Sequence, residues 1–128
     1  MGSAAATEGD RVTGTDTHLV IPSSGGPPVP TPAPFSGRLD GGLSSDVRIG
    51  GRAAAVVGST VTNSPGHVPS GGTFAVPPRD SGTVAAGSAT VRINGKPAAR
   101  SGDTVLTCND PVPLPAGTIA ASGAVTIG

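Results

Sequence analysis

The sequence predicts an all-β fold: a small, closed, pseudo-threefold body of short β-hairpin repeats with proline-rich surface loops. Three observations predict it. Val47–Val61 recurs 44 residues later as Val91–Val105, identical at nine of fifteen positions. A third copy is divided between the two chain ends. Gly117-Thr118-Ile119-Ala120-Ala121 echoes Gly82-Thr83-Val84-Ala85-Ala86, and Gly9-Asp10-Arg11-Val12 is the counterpart of Gly58-Ser59-Thr60-Val61 and Gly102-Asp103-Thr104-Val105. Finally, no window carries apolar residues at helical spacing, and Gly or Pro interrupts most stretches. Two whole copies and one split copy imply a closed body rather than an open solenoid. A chain with that symmetry matches the end of a trimer.

Each element follows from local chemistry. Short strands are expected at Arg11–Thr13, His18–Ile21, Asp46–Ile49, Ala54–Val57, Ser59–Thr62, Thr90–Ile93, Asp103–Leu106 and Ala124–Ile127, where β-formers sit between turn residues. Asn94-Gly95 supplies the two positive-φ residues of a type I′ hairpin, and Gly50-Gly51 is its counterpart. The repeat segments are 41–62, 85–106, and the split copy 117–128 plus 9–13. Asp10 and Asp103 each follow a glycine, where Asp readily bonds its own backbone in a turn; Ser59 holds the same place in the other whole copy.

Two insertions interrupt the pattern, 22–45 and 65–79. The first carries Pro27, Pro28, Pro30, Pro32 and Pro34; the second carries Gly71-Gly72 and Pro77-Pro78. Proline fixes φ and removes a donor. These insertions therefore read either as linkers or as extended loops tracking the surface, with Phe35 and Phe74 as buried anchors.

A single domain over residues 1–128 is expected. The chain has 21 glycines, 14 prolines, two aromatics and no Trp or Tyr, so its core must be built from small side chains. At about 25 cal/mol per Å² of buried apolar surface, such a core needs help from a metal or a partner. Eight cations balance eight carboxylates with no basic stripe, which argues against nucleic acid as a partner. Cys108 is the one cysteine, so no intrachain disulfide is expected. The N-terminus lacks a basic-then-apolar leader and no apolar run reaches spanning length. Synthesis and retention in the cytoplasm are therefore expected until another machine moves the chain.

Three soft-metal ligands stand out. His18 lies nine residues after Gly9, His67 nine after Gly58, and Cys108 six after Gly102, one per pseudo-repeat. Around a common axis, they would arrive at the same end. Two imidazoles and a thiolate suit a divalent ion, zinc most naturally. Asp110, Asn109, Asp16 and a water are all candidates for the fourth position. No general base stands near the three, which favours a structural metal over a small metalloenzyme. No Ser-His-Asp order, phosphate loop or paired-carboxylate motif is present.

Pro97-Ala98-Ala99-Arg100 followed by Gly102-Asp103 resembles the motif that names the PAAR-repeat proteins. Gly87–Lys96, Gly9–His18 and Thr107-Cys108-Asn109-Asp110-Pro111 extend the resemblance to the branch found with phage-tail-like contractile injection systems. The resemblance implies a compact β cone, its apex held by zinc on His18, His67 and Cys108. Related sequences often have a further His in the proline loop, where this chain has Ala33. The first repeat, Arg52-Ala53-Ala54-Ala55-Val56, lacks the motif's Pro and Arg.

Functionally, the resemblance implies a non-enzymatic tip, one per trimeric VgrG-like spike, that sharpens the spike and meets a target membrane transiently. An adaptor that attaches effector cargo is the compatible alternative. No toxin extension is expected after Gly128. The expected location is the tip of an injection particle, released or membrane-anchored.

Overall fold

The computed structural model describes residues 2–128. In chain order its strands are β1 (Ser3–Ala4), β2 (Arg11–Pro22), β3 (Val29–Gly41), β4 (Arg48–Ile49), β5 (Arg52–Ala53), β6 (Thr60–Asn63), β7 (Gly72–Phe74), β8 (Ser81–Val84), β9 (Arg92–Ile93), β10 (Lys96–Pro97), β11 (Thr104–Thr107), β12 (Leu114–Ala120) and β13 (Thr126–Ile127). Among the described residues no helix is long and apolar enough to cross a membrane. Strands β12, β11, β8, β6, β3 and β2 pair in that order, and β2 pairs back onto β12. Six antiparallel strands thus close into a barrel, which removes sheet edges from its wall.

Before each barrel strand β2, β6 and β11 the chain makes one hairpin and one tight turn. The hairpins are β4–β5, β9–β10 and β13–β1, the last joining the two ends of the chain. The split copy therefore runs back through Ser3, beyond the expected boundary at Gly9. The sequence does not mark this part of the copy, because Ser3 and Ala4 stand where the other copies have Arg52-Ala53 and Lys96-Pro97, and the charged residue of the hairpin is missing.

On the axis, the three copies exchange main-chain hydrogen bonds in a closed ring. Ala6 N–H donates to Ala99 O, Ala99 N–H to Ala55 O, and Ala55 N–H to Ala6 O, each at 3.0 Å. Bridges Ala5↔Arg100, Thr7↔Ala54 and Val56↔Ala98 repeat the same cycle one residue out. Ala5, Ala54 and Ala98 form one buried ring and Ala6, Ala55 and Ala99 the next. Where three backbones converge this closely, a single methyl fills the space, which explains the alanine-rich composition. Above them Val12, Val61 and Val105 alternate with Leu39, Val84 and Ile119, all within 1 % of full burial. Each such side chain contributes about 1.5–3 kcal/mol.

The turn leading from the rings into the barrel is the same three times. Gly9, Gly58 and Gly102 adopt φ of +89°, +98° and +90°, a conformation that favours glycine. The next residue's side chain then takes the backbone N–H three residues before it. Thr7 N–H donates to Asp10 Oδ2 at 2.8 Å, Val56 N–H to Ser59 Oγ at 3.0 Å, and Arg100 N–H to Asp103 Oδ2 at 2.7 Å. Asp and Ser serve alike here because both present an oxygen at the same reach.

The first insertion differs from a surface loop. Its core is β3, thirteen residues long and paired with β2 from Val20↔Val29 to Arg11↔Arg38. Prolines are tolerated because they face the free edge. Ser36 N–H goes to Asn63 Oδ1 and Ser36 O accepts from Ser64 N–H, both away from β2. Pro34, Pro32 and Pro30 share the parity of Ser36, so their missing donors point outward, where the ladder needs none. The second insertion contributes β7, which pairs with Val20, Ile21 and Pro22. Together β3, β2 and β7 extend beyond the barrel, at the end opposite the three hairpins. Phe35 is 1 % exposed and anchors the extension as expected, while Phe74 is half-buried.

Candidate metal centre

The chain passes each ligand just after leaving the barrel. Beyond its barrel portion, β2 carries Asp16 and His18 on one face, two residues apart, as a strand's period of two requires. His67 follows β6 on a loop whose backbone N–H is held by Asp80 Oδ1 at 2.9 Å. Cys108 directly follows β11. The structure brings all three sequence-predicted residues together, and Asp16 with them. One ligand atom from each of Asp16, His18, His67 and Cys108 lies within 4.8 Å of the others.

The contacts are those of ligands facing a common point. His67 Nε2 is 2.8 Å from Asp16 Oδ2, Cys108 Sγ is 3.3 Å from the same oxygen, and Cys108 Sγ is 3.8 Å from His18 Nε2. The imidazoles lie 4.9 Å apart between centroids. Phe74 stands edge-on to His18 at 5.7 Å, and Phe35 lies 6.4 Å from His67.

Asp16 is fully buried, and its two oxygens have separate surroundings. Oδ1 accepts from the Thr107 hydroxyl and from Asn109 Nδ2. Oδ2 faces the histidines and the thiol. Of the four candidates for the fourth position, two are committed elsewhere. Asn109 Oδ1 accepts Thr17 N–H at 2.6 Å, and Asp110 Oδ2 accepts Leu19 N–H at 2.9 Å. Ala33 is the cross-strand partner of Asp16. Ala33, in the proline run, therefore adjoins the carboxylate that faces the site.

Two observations test whether these residues suit a metal. His18 Nδ1 is buried without a hydrogen bond, 3.4 Å from Asp110 Oδ2. That arrangement suits a ligand histidine, whose second nitrogen turns toward a carboxylate while Nε2 faces the ion. Burial foremost, and then the Asp16 carboxylate beside it, push the Cys108 thiol up to about 11. A divalent cation among two imidazoles, a thiolate and a carboxylate would relieve that cost, and the set has the number and type of donors zinc takes. The residues fit the ion. A cavity of about 160 Å³ is lined by His18, Cys108, Pro77, Pro78 and Pro111.

The sequence profile of the PAAR motif matches residues 1–113 and again 75–128. The chain belongs to the PAAR-motif family. No curated protein matches it significantly. The family is one of structural, spike-associated proteins of type VI-like contractile injection systems rather than of enzymes, and membership implies association with a VgrG-like spike.

The four PAAR letters acquire separate physical roles here. Pro97 lies in β10, and its carbonyl accepts Val57 N–H at 3.0 Å. Ala98 and Ala99 supply one methyl to each axial ring. Arg100 bonds Asp103 through Nη2 at 2.9 Å and Nε at 3.1 Å, and reaches Gly87 O and Gly128 O. It thereby links its own turn to the hairpin of the next repeat. Repeat spacing marks neither Asp16 nor the two residues that anchor it, Thr107 and Asn109, of which Asn109 serves as a support and not as the fourth donor. The only sequence signal of Thr107 and Asn109 is adjacency to Cys108 in the run Thr107–Pro111.

Proposed function

We propose that this PAAR-motif protein caps the end of a trimeric VgrG-like spike, one copy per trimer, and sharpens it for piercing a target envelope. The observation that carries this reading is the closed exchange of hydrogen bonds among Ala6, Ala55 and Ala99. It gives one chain the symmetry of a trimer's end. The three hairpins stand on one side of those rings, so each subunit of a trimer meets the same backbone. Main-chain pairing there needs no side-chain code.

At the opposite end, His18, His67, Cys108 and Asp16 hold a structural zinc that ties β2 to the segments after β6 and β11. The barrel has closed off below, and little apolar core remains to do that work. Synthesis in the cytoplasm, assembly at the particle tip, transient membrane contact and carriage of effectors belong to the same reading.

Native mass spectrometry of the chain co-expressed with its spike protein tests it. One copy per three spike chains, with one zinc mass, is the expected result. That stoichiometry without metal would retain the cap and discard the zinc. A free monomer in the presence of assembled trimer would overturn capping.

A further inference from the structure

Around the hairpin end, each repeat meets the hairpin of the next at a seam, and two of the three seams are latched. At the first, Ser44 is 9 % exposed and donates to Asn94 Oδ1 at 2.6 Å, while Asn94 Nδ2 donates to Asp46 at 2.8 Å. At the second, Ser88 is 2 % exposed and donates to Gly128 O at 2.6 Å, and Arg100 Nη1 reaches the same oxygen at 3.2 Å. The repeat assigns Ser122, Gly50 and Thr7 to the third seam, in the places of Ser88, Gly128 and Arg100. There the latch is open. Ser122 is exposed and, among the described residues, bonds neither Gly50 nor Thr7. Gly50 has no side chain to offer where Asn94 has one, and Thr7 is too short to span as Arg100 does. Between them lies a cavity of about 250 Å³, with Ile49 and Val125 on its apolar wall and Arg52 beside it.

Charge indicates what enters. Arg48, Arg52, Arg92 and Lys96 are half of the chain's eight cations, all exposed on two hairpins, and none is in an ion pair among the described residues. The Asp10 carboxylate at the cavity is turned to Thr7, whose N–H and hydroxyl both donate to its Oδ2. We infer that the open seam is a socket for one carboxylate-bearing side chain of the docked spike, held by Arg52 and the Ser122 hydroxyl with its stem against Ile49 and Val125. This rests on the capping reading and adds an acidic partner face with a single engaged subunit.

Gly50→Asn tests it directly. Gly50 has φ +60° where Asn94 has +53°, and a Cβ there meets nothing within 4 Å. The substitution is expected to give Ser122 the amide partner that Ser44 has in Asn94, and to narrow the cavity. Affinity for the purified spike trimer is expected to fall about tenfold for Gly50→Asn and about tenfold for Arg52→Gln. Lys96→Gln, the repeat equivalent of Arg52 at a latched seam, should stay within about twofold. Equal losses for Arg52→Gln and Lys96→Gln would overturn the socket in favour of diffuse attraction. Unchanged binding by both Gly50→Asn and Arg52→Gln would overturn it while leaving capping intact. If the wild-type chain does not bind the trimer, capping and socket fall together.

Discussion

Asp16 and Asp110 divide the work of the metal end between them. Asp16 presents one oxygen to the ligand cluster and anchors the other through Thr107 and Asn109. Asp110 stands behind His18, 3.4 Å from Nδ1, and also receives Leu19 N–H. Asp110→Asn keeps an acceptor for Leu19 but removes the charge behind the imidazole. Zinc affinity is expected to fall about 10–100-fold, measured by competition with a chromophoric chelator. Asp16→Ala should lose more, because the proposed site has Asp16 as a donor to the ion; equal affinities for Asp16→Ala and the wild type would remove Asp16 from the ligand set.

A second expectation concerns protons. The Cys108 thiol, pushed up to about 11, is protonated at neutral pH in the metal-free chain. Zinc must displace that proton, so binding strengthens as pH rises and the calorimetric enthalpy changes with the buffer's ionisation enthalpy. Buffer-independent enthalpy would show that the thiol is not a ligand. His18, His67 and Cys108 were legible in the sequence because each follows its repeat's glycine. Asp16 was one of four open choices, because position 16 has Pro65 as its repeat counterpart and so no pattern to mark it.

At the scale of elements, β3 shows what a linear pattern conceals. Pro30, Pro32 and Pro34 read as a loop, since proline within a run argues against a strand. Their spacing of two is what makes the strand possible, because all three face the same unpaired edge. Beyond the barrel that edge offers carbonyls and no N–H, which discourages further strands from adding to it. Close approach fixes the other side of β3. A Cβ built on Gly37 would stand 2.1 Å from Thr62 O and 2.9 Å from Val61 Cγ2. Gly37→Ala must therefore part β3 from β6, and a destabilisation of about 1–3 kcal/mol or more is expected in denaturant unfolding. Gly123→Ala, with nothing within 4 Å, is the control and should stay within about 0.5 kcal/mol. Similar midpoints for the two variants would contradict the packing described for the barrel wall. The hairpins were easier to read: Asn94-Gly95 and Gly50-Gly51 advertise their turns locally, whereas the β2–β3 ladder depends on partners with no composition signal.

For the whole molecule, pseudo-threefold symmetry makes the position of the chain ends arbitrary. The hairpin β13–β1 pairs Ile127 with Ser3 and Thr126 with Ala4, as β4–β5 pairs Ile49 with Arg52 and Arg48 with Ala53. Joining Gly128 directly to Gly2 writes Ile127-Gly128-Gly2-Ser3, the same Ile-Gly-Gly-X turn as Ile49-Gly50-Gly51-Arg52. Two consecutive glycines supply both positive-φ residues that such a hairpin needs. New ends can then be opened between Gly50 and Gly51, both exposed and with room around them. The permuted chain is expected to fold, bind one zinc and melt within a few degrees of the original, because surface turns tolerate such changes. It should also cap the spike trimer at the same stoichiometry, since each hairpin backbone still meets one subunit, while the break at Gly50 opens the proposed socket and lowers affinity about tenfold. A permutant that folds and binds zinc but no longer caps would show that the partner recognises one particular hairpin more than the symmetry of the three. A permutant that does not fold would show that the β13–β1 seam is unlike the other two, against the ring of alanines that places all three copies around one axis.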